Sequence, residues 1–261
     1  MEEVRERAPL IHIIPNQVTA GFMADAVAAV GARPIMAVNP MEFEDITGHA
    51  EALVINLGQL NEEKLEATRK ALEVAKARKK LVTIDPVGIS ASEYRKREML
   101  ALIGEDYEGI IKGNSAELHC LQTGQISYEG VDSLHPQKIN PPSKAGQVYV
   151  VSGATDWILS KEVTVQLNKE KGIRYSVVGT GCVAGALCGV FQAVTNDSFF
   201  SGICAMSVLG FVVEQANAMQ GYGTYKYKIL DGLSRMEGKE DEFRNYLEKA
   251  YERRQNPICN C

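Results

Sequence analysis

Between residues 34 and 111, short runs of aliphatic and β-branched residues alternate with helical stretches, and several of the runs stop at polar residues. Parallel strands cannot be joined by a tight turn and need a crossover of a dozen or more residues, usually a helix. The alternation therefore predicts βαβ units around a mainly parallel central sheet with helices on both faces, an α/β architecture. Residues 18–30 (VTAGFMADAVAAV) read as an Ala-rich helix that ends at Gly31 and hands over to a strand at 34–38. Residues 52–57 (ALVINL) read as a buried strand. Residues 61–80 read as an amphipathic helix opened by an Asn cap, with acidic residues in its first turn. A strand at 81–84 halts at Asp85-Pro86, and another at 109–111 leads into Lys112-Gly113-Asn114.

Further along, residues 125–147 are rich in Pro, Lys and polar residues and read as a surface loop before a strand at 148–152. Residues 157–167 and 174–178 suggest an antiparallel hairpin, and residues 183–194 and 200–219 a pair of apolar helices. With 261 residues, 45% hydrophobic and 23% charged, one domain with a continuous core is the expectation for residues 1–261. Residues 252–261 are expected to form a flexible tail.

A net charge of −5 offers no basic footprint for a phosphate backbone, so nucleic acid is not an expected partner and a small metabolite is. The amino-terminal MEEVRERAPL carries charges where a secretory signal needs an apolar core, which points to the cytoplasm. The apolar stretch at 199–213 falls short of the ~20 residues that a membrane span needs and reads as a buried helix, so no membrane association is expected. The six cysteines, Cys120, Cys182, Cys188, Cys204, Cys259 and Cys261, show no pairing of two CxxC units.

The strongest local chemical signal is VVGTGC at residues 177–182, followed at once by the small-residue run VAGALCGVF. Glycines and a threonine before a helix let the backbone approach a ligand and aim N–H groups at an anion, with the helix dipole behind them. Gly179, Thr180, Gly181 and Cys182 therefore read as an oxyanion or phosphate hole, although a tight start to a helix needs similar residues. Asp85 in TIDPVG and Glu117 in KGNSAE stand at or just beyond strand ends, where ligands bind in open α/β sheets. Hard oxygen ligands of that kind suit Mg²⁺; taken singly, each also reads as a helix-capping acid.

The segments PNQVTAGFMADAVAAVGARPIMA, ALVINLG, TIDPVG, IKGNSAE, VVSGATD and GTGC resemble, in order and rough spacing, those of hydroxyethylthiazole kinases of the ribokinase-like superfamily, over residues 11–231. The resemblance implies transfer of the γ-phosphoryl of ATP to the primary hydroxyl of 4-methyl-5-(2-hydroxyethyl)thiazole, in thiamin biosynthesis or salvage. It implies Asn16, the backbone at Met36, and Gly179 beside the thiazole; Lys112, Asn114 and Ser152 at the nucleotide; and Asp85 and Glu117 serving Mg²⁺. It also implies a homotrimer with active sites completed between subunits.

Lys112 falls where the family usually has an Arg, and Ser152 where it usually has a Thr; Lys keeps the charge but loses the bidentate fork. Pro15-Asn16-Gln17-Val18 replaces the usual TN-aromatic-V. Cys182 has two readings, a thiolate that takes the hydroxyl proton or a small residue that only shapes the hole. The departures leave open another small alcohol, such as a hydroxymethylpyrimidine, as acceptor. They also leave open a non-catalytic nucleotide or metabolite sensor on the same scaffold.

Overall fold

The structure is a computed structural model that describes residues 1–104, 107–126, 139–170, 177–216 and 221–255. Among these described residues nine strands form one sheet: β1 (Leu10–Ile14), β2 (Arg33–Ile35), β3 (Ala52–Asn56), β4 (Leu81–Asp85), β5 (Gly109–Asn114), β6 (Gln147–Ser152), β7 (Thr155–Leu159), β8 (Val163–Asn168) and β9 (Tyr251–Gln255). The spatial order is β2-β1-β3-β4-β5-β6-β7-β8-β9; pairing is parallel from β2 to β6 and antiparallel from β6 to β9. The chain runs from β1 out to β2, then returns across β1 to start β3. That reversal makes the gap between the carboxyl ends of β1 and β3 the switch point, where an open α/β sheet leaves a ligand crevice.

Two apolar cores cover the two faces of the sheet. On one face α1 (Glu2–Arg7), α2 (Ala20–Ala29), α7 (Thr180–Thr195), α8 (Ser198–Ala216), α9 (Tyr222–Ser234) and α10 (Glu240–Ala250) surround residues such as Ile11, Val54 and Val150. On the other lie α3 (Phe43–His49), α4 (Glu62–Ala77), α5 (Glu93–Ile103) and α6 (Ser115–Thr123), over Leu53, Ile55 and Ile84. The alternation of Val54 with Leu53 and Ile55 between the two cores follows from the period of two along a strand, and with both faces covered every residue of ALVIN is buried. Asn61 caps α4 as its sequence predicts, accepting the Lys64 N–H at 2.8 Å. Helix α7 lies close over β3, and a Cβ on Gly189 would collide with Val54. Helix α8 is long and apolar enough to cross a membrane by length and composition, but its apolar side chains are largely spent in the core shared with α7.

Several expectations shift. The hairpin is β7–β8, within residues 155–168; residues 177–178 form a turn into α7, and 171–176 lie outside the described residues. Residues 252–255, expected in a flexible tail, instead lie in β9 and pair with β8. Its sequence YERRQ carries no apolar alternation; the backbone of the β8 edge supplies the partner that the side chains do not announce. Residues 256–261, with Cys259 and Cys261, lie outside the described residues, as do 127–138 of the expected loop. Strand β1 is additional to the expected set. Its His12 interrupts an apolar run, and it is buried with both ring nitrogens engaged, by Thr47 Oγ1 at 2.8 Å and Ala37 O at 3.0 Å. Burial lowers its pKa, against the Ala37 hydrogen bond, so the ring is held neutral.

Candidate active site

Residues at or near the carboxyl ends of β1, β3, β4 and β5 come together beside the first turns of α7. Strand β4 ends on Asp85, which is buried; its Oδ2 lies 3.7 Å from Lys112 Nζ and accepts the Asn56 amide at 3.3 Å. Asp85 Oδ1 is buried and has no hydrogen-bond partner among the described residues. Burial pushes the Asp85 carboxyl up to about 7; the Lys112 charge pulls it down, and Glu117 adds to the rise. For Lys112, burial favours the neutral amine, but the charges of Asp85 and Glu117 outweigh it and raise its pKa, so the ammonium persists at neutral pH. The ammonium sits 3.0 Å from where a Cβ of Gly181 would stand, so the glycine lets a cation rest against the first turn of α7.

That first turn has the expected form. Gly179 takes φ +97°, a left-handed conformation suited to glycine, and a Cβ there would come within 2.9 Å of Thr19. Thr180 turns inward, its hydroxyl and its N–H both donated to Val177 O, at 2.8 and 3.0 Å. The first bond to a carbonyl four residues back is Val183 N–H to Gly179 O, 2.9 Å. The amides of Gly181 and Cys182 are thus left at the positive end of the helix without that partner, the arrangement that holds an anion.

Glu117 and Asn114 form a reciprocal cap at the start of α6: Glu117 N–H donates to Asn114 Oδ1 at 2.9 Å, and Asn114 N–H donates to Glu117 Oε2 at 2.8 Å. Glu117 Oε1 accepts the Gly88 N–H at 2.8 Å, which ties the loop after Asp85 to α6. Ser152 stands opposite Asn114 in the β5–β6 register and donates to Gly113 O at 3.4 Å.

On the other side of the turn, Asn16 Nδ2 is within reach of Thr19 Oγ1 at 2.7 Å, Asn56 Oδ1 at 2.9 Å and Cys182 Sγ at 3.5 Å. Asn56 continues the chain to Asp85, so a hydrogen-bonded path runs from Cys182 through two asparagines to the buried carboxylate. Met36 is half-buried, packs against the same core as Cys182, and precedes Ala37, whose carbonyl His12 anchors. The Cys182 thiol is pushed up by burial and by the charge of Asp85, against hydrogen bonds from Thr19 and Asn56 and the charge of Lys112. This is the opposite of the lowering that a helix amino terminus alone would give, because desolvation and a neighbouring anion outweigh the dipole.

The structure thus links Asp85, Lys112, Glu117, Cys182 and Asn16 through contacts and charges; Asn114 and Ser152 end the paired strands β5 and β6, and Met36 follows β2. The sequence reading does not single out Thr19, Asn56 or Lys64. A signal for Asn56 was present: a polar residue ending an apolar strand is where this fold puts chemistry.

A family profile described as the hydroxyethylthiazole kinase family matches residues 1–239. The hydroxyethylthiazole kinase of Leptospira biflexa serovar Patoc is 33% identical over 240 residues, spanning 89% of this chain and 90% of the relative. Among solved structures, hydroxyethylthiazole kinase from Pyrococcus horikoshii OT3 superposes with a TM-score of 0.80 at 29% identity, covering 98% of this chain and 97% of that one. A ribokinase-like superfamily protein from Enterococcus faecalis V583, at 14% identity, shares the fold with a TM-score of 0.62, over 91% of this chain and 87% of its own.

Proposed function

The chain belongs to the hydroxyethylthiazole kinase family, and from that premise we propose that it transfers the γ-phosphoryl group of ATP to the primary hydroxyl of 4-methyl-5-(2-hydroxyethyl)thiazole. The observation that carries the reading is the Lys112–Asp85 pair lying against the Gly179 turn. A persistent cation lies against the helix turn that carries two amides without an i−4 partner, and phosphoryl transfer depends mainly on positioning and on spreading charge.

The residues fit a magnesium ion. Asp85 Oδ1 is a buried carboxyl oxygen with no hydrogen-bond partner among the described residues, and each Glu117 oxygen accepts one backbone N–H and keeps lone pairs to offer. Among the described residues no group of three or more His, Cys, Asp or Glu side chains forms a cage, which suits a cation that keeps waters and phosphate oxygens. Bound there, Mg²⁺ would neutralise phosphate charge. Lys112 and the Gly181 and Cys182 amides hold the phosphoryl oxygens; Ser152 and Asn114 line the nucleotide side; Asn16 and the Met36 backbone orient the alcohol beside Gly179.

The raised thiol pKa supports Cys182 as a shaping residue rather than a base. The homotrimer reading is supported by Val18, Val38 and Met41, which follow β1 and β2 at the acceptor side and are 68%, 56% and 89% exposed. A neighbouring subunit there would cover apolar surface and close the pocket. We place the enzyme in the cytoplasm, in thiamin biosynthesis or salvage.

The test is ADP release with a panel of hydroxyethylthiazole and pyrimidine alcohols, with and without Mg²⁺. Mg²⁺-dependent release with the thiazole alcohol is the expected result. Preference for a pyrimidine alcohol would reassign the acceptor, and nucleotide binding without turnover would favour the sensor reading. Light scattering at the mass of three chains would bear out the trimer.

A further inference from the structure

Lys64 breaks a local rule. It sits in the first turn of α4, where the helix dipole disfavours a cation and where Glu62 and Glu63 obey the rule. Such a departure in an otherwise consistent helix points to a task outside the helix. Its ammonium leaves the helix and donates to three carbonyls: Pro15 O at 2.7 Å, Gly58 O at 2.7 Å and Asn56 O at 3.2 Å. An ammonium has three N–H donors, and these three acceptors use them all.

The three carbonyls belong to the two loops at the switch point. Pro15 immediately precedes Asn16, which contacts Cys182. Asn56 ends β3 and joins Asn16 to Asp85. Gly58 packs so closely that a Cβ on it would lie 3.0 Å from Asn56 Oδ1 and 3.1 Å from Asn16 Cβ. Strands β1 and β3 are hydrogen-bonded to each other only up to Ile14 and Ile55, so past that point the ladder no longer holds the two chains together. A cation between the loops does so instead. The cost is visible: burial first, then the charge of Arg95, lowers the Lys64 pKa to about 8, with Cys182 acting the other way.

We propose that Lys64 is a positioning residue for the acceptor alcohol, a cationic cross-link that fixes Asn16 and Asn56 at the mouth of the β1–β3 crevice without touching the nucleotide. The proposal rests on the kinase reading for the identity of the acceptor, while the cross-link itself does not.

The experiment compares wild type, Lys64→Met and Lys64→Arg by steady-state kinetics and by hydrogen–deuterium exchange of the full chain. Lys64→Met keeps the methylene packing and removes the donors; it should raise KM for the thiazole alcohol about tenfold, with KM for ATP changed less than about twofold. Lys64→Arg, which restores N–H donors, should recover most of that loss. In exchange, Lys64→Met should deprotect peptides covering residues 11–22 and 54–62, and leave those covering 109–126 as in wild type. Equal losses for both substrates, or unchanged acceptor KM, would overturn the positioning role. If wild type fails to phosphorylate the alcohol, the kinase reading falls alone and exchange decides the cross-link: unchanged protection in both loops refutes it.

Discussion

Among the described residues, two aspartate–lysine pairs are buried at the carboxyl-terminal edge of the sheet, and they are built differently. Asp156 and Lys169 meet at 2.7 Å; Asp156 Oδ1 also accepts the Gly153 N–H at 3.0 Å, and Lys169 donates to Gly153 O at 2.8 Å. That pair locks the turn between β6 and β7. Asp85 and Lys112 are 3.7 Å apart, and one carboxylate oxygen is left without a partner among the described residues. Burial raises the pKa of both aspartates, but only at Asp156 is the rise opposed by a close ion pair together with a backbone amide. A buried pair adds little net stability, because removing both ions from water offsets their attraction. Two close partners on Asp156 Oδ1 fit a structural clamp, whereas the orphaned oxygen of Asp85 supports the proposed metal-binding part.

Substitution should separate the two. Asp85→Asn is expected to lower turnover by about 100-fold or more, the scale of losing a preorganised electrostatic group, with the smaller stability loss of the two. Assay of ADP formation beside thermal melting checks it; a variant of near wild-type activity would erase the distinction. Asp156→Asn should show the converse, costing about 3 kcal/mol in denaturant unfolding by leaving Lys169 buried against a neutral partner. Turnover should stay close to wild type once the protein is folded, and a stability loss smaller than that of Asp85→Asn would reverse the assignment.

A milder probe reads the influence of Asp85 on its neighbour. With the Cys182 thiol held protonated by burial and by that charge, Cys182→Ser should stay within about tenfold of wild-type kcat. A positioned general base contributes about 100-fold or more, so a loss of that size would restore a thiolate role.

The smallest effect concerns Lys64, a half-buried cation held by carbonyls rather than by an aspartate. Its folded pKa is about 8, against about 10.4 in an unfolded chain. Between those values the unfolded state binds more protons, so wild-type stability should rise relative to Lys64→Met as pH increases from 8 toward 10.4. Partial solvent access keeps the gain small. Denaturant midpoints of both proteins across that range give the measurement, and a wild-type advantage that shrinks with pH would contradict the assignment.

Much of the site could be read in sequence because its parts are local. The Gly179 turn needs a positive φ and an uncrowded backbone at one point in the chain, and the pattern VVGTGC states both. Asp85 and Asn114 end strands and Glu117 lies in the first turn of a helix, positions that apolar runs delimit, while Lys112 lies within β5, two residues before its end. Asn56 and Lys64 were less legible. Asn56 reads as the polar end of a buried run, and Lys64 as one charge among many on an amphipathic helix. Their roles appear only when two loops that are 40 residues apart face each other across the switch point.

The sequence by itself determined the parallel α/β frame, the glycine turn before α7 and the polar residues at the strand ends, because these follow from periodicity, backbone freedom and capping within short segments. Tertiary structure decided which aspartate was satisfied and which was not, the upward shift of the Cys182 thiol, the carbonyl cradle of Lys64 and the pairing of β9. Each of those depends on burial and on partners distant in the chain, and desolvation and long-range hydrogen bonding exist only once the layers have packed.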